Sequence, residues 1–311
     1  MRKSLALQAE MAEEFNACVF DVTLDCEDGA PVGGESDHAQ MVVALIREHL
    51  ERSRVQLRAT PRVAVRTHPV HHPAFQQDIA LIVGGVGDAL CHLMVPKVES
   101  VHDIEAVLAA ISRAPSGLRA HPLPLHALVE SPAAVHRAFE IAAHPNVQSI
   151  SFGLMDFVSA HGGAIAAEGM SGAGQFKHPL VVKAKLEIAS ACHAHGKVPS
   201  HCVVTEFRDQ GALQIAARTA ANEFGYTRMW SIHPGQIRTI LAAFAPAPGE
   251  IELASEIICR AQRADWAPID FRGQLHDRAS YRYFWQILER AHQTGKAMPD
   301  SVQPYFALPL H

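Results

Sequence analysis

The sequence predicts an α/β fold, a (β/α)8 TIM barrel followed by a C-terminal helical lid. The chain has 311 residues, which is long enough for one such barrel. Hydrophobic residues make up 48% and charged residues 19% of the chain, so a large buried core is expected. Short runs rich in β-branched residues alternate with longer Ala- and Leu-rich segments, a pattern typical of βα units around a parallel sheet.

Seven segments have the composition of strands, and segments with helical spacing lie between them. The predicted strands are residues 17–24, 62–66, 91–95, 125–129, 148–152, 198–203 and 229–232. The predicted helices are residues 36–51, 74–86, 101–112, 132–143, 180–194, 209–222 and 234–244. An eight-stranded barrel needs one more strand, and the chain opens with a helix-like segment at residues 4–15. We therefore predict that the first strand of the barrel is missing from this chain.

The pattern changes after Phe244, where a segment rich in Ala and Pro is typical of a linker. We predict a TIM-barrel domain that carries the functional site over residues 1–245. A C-terminal helical lid is predicted over residues 246–311. The lid is expected to contain helices at 250–264 and 279–292, a loop at 265–272 and no strand.

Composition argues against several classes of protein. The net charge is −5 with neutral histidines, and no basic run interleaved with aromatic residues occurs, so we expect no nucleic-acid partner. No apolar stretch approaches the roughly 20 residues that span a bilayer, so we expect no membrane partner. The first residues are charged and do not follow the pattern of a signal peptide, and the 6 cysteines form no C-x-x-C pair. We expect a cytoplasmic protein with reduced cysteines.

Polar residues follow most of the predicted strands. In a TIM barrel the active site is built at the carboxyl ends of the strands, so these residues are expected to converge there. They are Asp25, Glu27 and Asp28 after the first predicted strand, and Arg66, Lys97, Glu130, Asp156 and His233 after later ones.

Glu130 and Asp156 follow adjacent predicted strands. Two carboxylates without a nearby Cys or His suit a hard cation with oxygen ligands, and Mg²⁺ is the best candidate. Its open coordination positions would chelate a hydroxy- or oxo-carboxylate. The alternative interpretation is that each residue is a salt-bridge partner inside the barrel mouth.

Arg66 is a planar, fixed cation that suits a substrate carboxylate or an enolate-like oxygen. The alternative is a structural ion pair with the acids that follow the first predicted strand. Lys97 has a similar pair of interpretations, since it would either polarise the substrate or pair with Glu27 or Glu99. The 20 histidines show no zinc-binding spacing, and no G-x-S-x-G nucleophile motif occurs.

Six motifs in order resemble the HpcH/HpaI aldolase and citrate lyase β-subunit family, which includes malyl-CoA, β-methylmalyl-CoA and citramalyl-CoA lyases. Each motif alone is weak, but their order and spacing cover roughly residues 17–245. The matching segments are LDCEDGAP at 24–31, VRTHP at 65–69, VPKVES at 95–100, LVESPAAV at 128–135, SFGLMDF at 151–157 and SIHPGQI at 231–237.

The resemblance implies a (β/α)8 barrel in a homo-oligomer, a trimer or a hexamer. It implies Mg²⁺ held by Glu130 and Asp156, in agreement with the interpretation from the residues alone. It also implies that Arg66 contacts the substrate or its enolate, and that the group Asp25, Glu27 and Asp28 lies beside the metal and its waters.

In family members that act on CoA thioesters, a C-terminal lid carries an acid/base Asp that often reaches a site across a subunit boundary. The segment GQLHD at 273–277 resembles that lid, which makes Asp277 the candidate. Asp277 is equally well placed to cap the helix predicted to begin near Ala279.

The implied function is Mg²⁺-dependent carbon–carbon cleavage of a hydroxy-carboxylate, with a 3-hydroxyacyl-CoA such as a malyl-, citramalyl- or citryl-thioester as the leading substrate. The products would be an acyl thioester and a 2-oxo acid. The alternatives are a CoA-independent class II pyruvate aldolase, a thioesterase on the same scaffold, and a non-catalytic binding or scaffold homologue.

Overall fold

The computed structural model describes residues 1–56, 60–114 and 122–306, and its main feature is a parallel sheet of seven strands. The strands are β1 (Val22–Asp25), β2 (Val63–Arg66), β3 (Leu90–Val95), β4 (Leu125–Val129), β5 (Val147–Phe152), β6 (Val198–His201) and β7 (Arg228–Met229). Each overlaps a strand predicted from the sequence, although β1 and β6 are shorter than expected and β7 shares only Met229 with the predicted 229–232.

Ten α-helices of the described chain precede, connect or follow these strands. They are α1 (Arg2–Phe15), α2 (Glu35–Gln56), α3 (Phe75–Val86), α4 (Val101–Arg113), α5 (Pro132–His136), α6 (Ala138–Ala143), α7 (Leu154–Ser159), α8 (Pro179–Ala194), α9 (Gln210–Asn222) and α10 (Ile237–Phe244). The single helix predicted over 132–143 is divided in two, because the backbone of Arg137 leaves the helical region (φ −97°, ψ 10°).

Each strand pairs in parallel with the next strand in the sequence, so the order in the sheet is β1 to β7. Val22 pairs with Val63 and Asp25 with Arg66, which brings the carboxyl ends of β1 and β2 to one edge. Nearly all side chains of the inner strands are buried, as expected for a parallel sheet covered by helices. This order and helix placement are TIM-barrel-like.

The edge strands β1 and β7 approach each other at their amino ends. Asp21, just before β1, forms an ion pair with Arg228, the first residue of β7, and another with Arg62 at 2.5 Å. Within the described ranges no strand lies between β1 and β7. The eighth strand of a closed barrel therefore stays a prediction.

Two stacked histidines fill the sheet at these amino ends. The rings of His92 and His126 lie 3.5 Å apart and nearly parallel, and His126 contacts the amide oxygen of Gln148 at 2.9 Å. Burial, with the nearby Arg228 charge, lowers the pKa of His126 to about 3, so the ring is neutral. These neutral rings pack against each other near the amino ends of the strands. The polar residues selected from the sequence follow the carboxyl ends instead.

Residues after α10 form a separate packing unit. It contains α11 (Pro248–Arg263), the antiparallel strands β8 (Ile269–Phe271) and β9 (Gln274–His276), and α12 (Arg278–Gln293). Its core is a hydrophobic cluster distinct from that of the sheet. The division into domains at residue 245 was predicted from the sequence, and we keep it as a proposal.

The prediction that this C-terminal segment contains no strand was wrong. Arg272 and Gly273 both have positive φ (54° and 77°), the geometry of a two-residue hairpin turn, and this turn pairs β8 with β9. The segment GQLH also alternates between exposed and buried positions less clearly than a typical strand, since Leu275 is exposed. Among the described residues, no helix is both long and apolar enough to cross a bilayer.

Candidate active site

Seven of the eight polar residues selected from the sequence meet at the carboxyl ends of β1 to β5. Asp25 ends β1 and Arg66 ends β2, and the other residues follow β1, β3, β4 and β5 directly or within four positions. We call this group the strand-end site. It consists of Asp25, Glu27, Asp28, Arg66, Lys97, Glu130 and Asp156. The eighth selected residue, His233, follows β7; its Nδ1 accepts from the Gly235 N–H at 3.1 Å, and within the described ranges it makes no hydrogen bond or ion pair to the other seven.

Arg66 is the centre of the strand-end site. Its Nε and Nη2 atoms donate to the two oxygens of Asp25 at 2.7 and 2.8 Å, a bidentate pair. Its Nη1 lies 2.9 Å from a Glu27 oxygen, and its Nη2 also contacts Asp28 at 3.0 Å. The structural ion pair expected as the alternative role of Arg66 is therefore present.

Asp25 is fixed from two sides. Burial raises the pKa of this carboxyl group, but the hydrogen bonds from Arg66 and from the backbone N–H groups of Glu27 and Gly29 outweigh burial and hold the pKa below its usual value. This lowered pKa favours the ionised form of Asp25 at the end of β1. The Asp25–Arg66 ion pair connects the end of β1 to the end of β2.

Lys97 connects the acids of β1 with those of β4 and β5. Its Nζ donates to Glu27 at 2.7 Å and lies 4.0 Å from Asp156, and its backbone N–H donates to Glu130 at 2.7 Å. Its φ of 50° is rare for a residue with a side chain, and such strain is often found at functional sites. The sequence offered Glu27 and Glu99 as partners, and Glu27 is the one that Lys97 contacts.

Glu130 is the most deeply buried acid of the strand-end site, with 6% of its surface exposed. Burial, and then the charges of Asp156 and Glu27, raise its pKa from 4.5 to about 8, against the opposing hydrogen bond from Lys97. A Cβ atom on Gly153 would lie 2.6 Å from Glu130 Oε2, so only glycine leaves room for this carboxylate.

The donor set fits a hard divalent cation. Five carboxyl groups of the strand-end site face only two cationic side chains, and Glu130 faces this excess negative charge while it is buried. Asp156 lies in the first turn of α7, and its side chain is about half exposed. A cation between Glu130 and Asp156 would balance the charge that raises the Glu130 pKa.

Trp230 lies beside the strand-end site, and the sequence gave no reason to select it. It follows β7, its indole N–H donates to Ser151 Oγ at 3.0 Å, and its ring lies 5.9 Å from the Arg66 guanidinium carbon. Ser151 is a buried residue of β5. The sequence placed Trp230 inside the predicted strand 229–232, a position that did not mark it as a site residue.

Asp277 lies in the C-terminal segment and caps α12. One of its side-chain oxygens accepts hydrogen bonds from the N–H groups of Ala279 at 2.9 Å and Ser280 at 3.4 Å. Its side chain is exposed. Within the described ranges it makes no hydrogen bond or ion pair to the strand-end site, so an acid/base role stays a proposal.

A second polar cluster is a weaker candidate for a metal. Asp21, Cys91 and His92 lie close enough to share an ion, and they are the only such group of three found in the described residues. Asp21 is already paired with Arg62 and Arg228, whose positive charges oppose a cation. The cluster also belongs to the amino ends of the strands, where a TIM barrel builds stability.

The fold and the strand-end site define an enzyme of the TIM-barrel-like class, with its chemistry at the carboxyl ends of parallel strands. Residues 4–234 match the family model of HpcH/HpaI aldolase/citrate lyase. The chain therefore belongs to this family, and it is a carbon–carbon lyase.

Curated relatives are similar over most of their length. An L-malyl-CoA/β-methylmalyl-CoA lyase of Cereibacter sphaeroides is 28% identical over 299 residues, which cover 90% of this chain and 90% of the relative. A malyl-CoA/β-methylmalyl-CoA/citramalyl-CoA lyase of Chloroflexus aurantiacus is 28% identical over 260 residues, covering 78% of this chain and 74% of the relative.

Solved structures share the fold. A citrate lyase from Burkholderia xenovorans is 48% identical, with a TM-score of 0.80 and coverage of 98% of this chain and 92% of that one. Protein CitE from Mycobacterium tuberculosis, solved in complex with magnesium, acetoacetate and coenzyme A, has a TM-score of 0.62 at 23% identity. The match covers 93% of this chain and 95% of the CitE chain. At 23% identity this likeness shows the fold alone.

Glu130 should destabilise the metal-free protein at alkaline pH. The folded protein keeps a proton on Glu130 up to about pH 8, whereas the unfolded chain releases it above about pH 4.5, so unfolding releases a proton in this window. The free energy of unfolding should therefore fall as pH rises from 5 to 8. In Glu130→Gln this fall should be weaker, and at pH 8 the variant should be more stable by on the order of 3 kcal/mol.

The measurement is urea unfolding with a chelator present, at pH 5 and at pH 8. Glu105→Gln, which changes an exposed glutamate on α4, is the matched control and should follow the wild type at both pH values. Equal pH dependence in wild type and Glu130→Gln would contradict the raised pKa.

Proposed function

We propose that this protein is a Mg²⁺-dependent lyase of the retro-Claisen or aldol type that cleaves a hydroxy-carboxylate. The proposed substrate is a 3-hydroxyacyl-CoA of the malyl, citramalyl or citryl type. The proposed products are an acyl thioester and a 2-oxo acid.

One observation carries the proposal: Glu130 is buried as an acid among other acids, and its pKa is raised to about 8. A scaffold protein gains nothing from this arrangement, because it lowers stability at neutral pH. A cation bound at Glu130 would offset this loss of stability. Gly153 supports the same interpretation, since any side chain there would displace the Glu130 carboxylate.

In this proposal Glu130 and Asp156 hold the Mg²⁺ ion. When bound, the ion supplies Lewis-acid polarisation of the substrate oxygen that changes charge during cleavage. The backbone N–H of Lys97 fixes one oxygen of Glu130, so the other oxygen, which faces Gly153, is the one left to bind the cation. Asp156 is partly exposed, and its Oδ1 lies 4.0 Å from Lys97 Nζ.

Arg66 and Lys97 have complementary proposed roles. Arg66 orders the acids Glu27 and Asp28, which would then accept hydrogen bonds from the metal's water ligands. One N–H of its Nη1 group is left without a contact within the described ranges and would be directed at the substrate carboxylate. Lys97, half exposed at the rim, would add positive charge beside the substrate.

The reaction needs a base and an acid. A base takes the proton of the substrate hydroxyl, the carbon–carbon bond breaks, and its electron pair remains on the acyl thioester as an enolate. The hydroxyl carbon becomes the carbonyl of the 2-oxo acid. The enolate then takes a proton at carbon. We propose that Asp277, contributed by a neighbouring copy of the chain, transfers this proton to the enolate carbon.

Support for the CoA thioester comes from the relatives. The Cereibacter sphaeroides and Chloroflexus aurantiacus enzymes are named for malyl-CoA, β-methylmalyl-CoA and, in the second, citramalyl-CoA. The corresponding 2-oxo acids would be glyoxylate or pyruvate. A homo-oligomer, a trimer or hexamer, is part of the proposal because Asp277 is exposed and bonded only to its own helix within the described ranges.

The first test is calorimetric titration with a 2-oxo acid. Glyoxylate, pyruvate or oxaloacetate should bind the wild type in the presence of Mg²⁺ and not with a chelator. Glu130→Ala should weaken Mg²⁺-dependent binding at least about 100-fold, because loss of a metal ligand exceeds the effect of losing an outer partner. Acetyl-CoA should strengthen oxo-acid binding if the substrate is a CoA thioester.

Glu105→Gln again serves as the matched control and should bind as the wild type does. Oxo-acid binding that is unchanged by removal of Mg²⁺ and by Glu130→Ala would refute the proposed metal site. Mg²⁺-dependent binding that acetyl-CoA leaves unchanged would favour the CoA-independent aldolase instead.

Asp277→Asn separates the proposed proton transfer from helix capping. Asparagine caps a helix about as well as aspartate, so the midpoint of thermal unfolding should not change. If Asp277 transfers a proton, kcat for cleavage of a malyl-type CoA thioester should fall by about 10²- to 10⁴-fold.

Mixing Asp277→Asn with Glu130→Ala provides the control for a shared site. In an oligomer whose sites combine two chains, some mixed sites contain both intact residues and regain activity. Full activity of Asp277→Asn alone would leave Asp277 with the capping role only.

A further inference from the structure

We propose that the outer face of α8 is a surface at which two copies of this chain pair about a two-fold axis. The partner is a second copy of the chain, held by an apolar centre and two ion pairs. This surface shares no residue with the strand-end site, so the inference does not depend on the proposed reaction.

The two sides of α8 have opposite environments. The inner side contacts β5 and β6 and is buried, with Val181, Ala184, Ile188 and Cys192 in the core of the sheet. Residues 179, 182, 183, 186, 187 and 190 lie on the other side, because positions three or four apart share one side of a helix. Together with Phe139 of the neighbouring helix α6, they line a shallow groove.

The groove and its margin expose large apolar side chains. Leu186 is 46% exposed, and Phe139 and Leu180 are each 42% exposed. They lie on two helices that contact each other, α6 and α8, so they belong to one region of the surface. Apolar side chains grouped in this way are typical of a site of protein–protein contact.

Two opposite charges lie on the same face as Leu186. Lys183 and Glu187 both line the groove, and within the described ranges neither makes an ion pair or a side-chain hydrogen bond. They are four positions apart with the lysine first, which is the less favourable order for a pair within one helix. Both charges are therefore available to another molecule.

This arrangement of charges is complementary to itself. In a two-fold contact, residue i of one copy faces residue j of the other, and j faces i. Two antiparallel copies of α8 with the axis midway between positions 183 and 187 would place Lys183 opposite the partner's Glu187, twice. Leu186 would lie near the axis, beside the partner's Leu186. An apolar centre with a charged margin is the usual composition of an interface.

The test measures the molar mass of the protein in solution by sedimentation velocity and light scattering. Leu186→Glu should halve the mass of the wild-type assembly, because a two-fold contact joins smaller units in pairs. The dissociation constant for pairing should rise at least about 30-fold, as is usual for a central interface residue. Ile215→Glu changes an exposed apolar residue of α9 outside the groove and should keep the wild-type mass.

Exchanging the charges tests the two-fold pairing itself. Lys183→Glu leaves two acids on the face and Glu187→Lys leaves two lysines, so each variant alone places like charges opposite each other and should have half the wild-type mass. An equal mixture of the two variants should regain the wild-type mass, because each then faces a partner of opposite charge at both positions. These substitutions also decide the question if Leu186→Glu does not fold.

The wild-type mass in every variant would overturn the proposal, since the face would then not join copies. A halved mass without recovery in the mixture would overturn the two-fold arrangement. Binding of oxo acids with Mg²⁺ should be the same in Leu186→Glu as in the wild type, so the inference and the proposed function fail or stand separately.

Discussion

Arg66 determines how the acids at the carboxyl ends of the strands are arranged. A single guanidinium group, mostly shielded from solvent, contacts Asp25, Glu27 and Asp28 through separate N–H groups. Three carboxylates within four residues repel each other unless a cation compensates. Arg66 therefore compensates the charge of the loop after β1, in which Glu27 also contacts Lys97.

The two ends of the sheet use charge in opposite ways. At the amino ends, the Asp21 carboxylate is balanced by Arg62 and Arg228, and the two histidines are neutral. At the carboxyl ends, carboxylates exceed cations, and the buried Glu130 has a raised pKa. The first arrangement stabilises the fold. The second is unfavourable in the absence of a ligand, and such unfavourable arrangements are expected where a protein binds a cation.

Much of this organisation was predictable from the sequence, because strand periodicity and the residue types after each strand are local signals. The seven strands and the convergence of Arg66, Lys97 and Glu130 follow from those signals together with the rule that parallel strands share one edge. The hairpin β8–β9 was missed because its three-residue strands are too short for alternation to be recognised, and its turn is formed by Arg272 and Gly273.

Other features depend on distances that no sequence pattern contains. Lys97, whose backbone is left-handed, contacts Glu27, whereas Glu99 accepts a hydrogen bond from Ser131. The raised pKa of Glu130 depends on burial and on a neighbour 26 positions away, Asp156. The place of Trp230 across three strands is likewise visible only in the folded chain.

The most direct test of the central claim is to locate the ion. Crystals grown with Mn²⁺, which prefers the same oxygen ligands as Mg²⁺, and with oxaloacetate would show the metal by anomalous scattering. The account predicts one strong peak between the carboxylates of Glu130 and Asp156, with the oxo acid completing its coordination. A peak at Asp21, Cys91 and His92 instead, or no peak at the carboxyl ends of the strands, would contradict it.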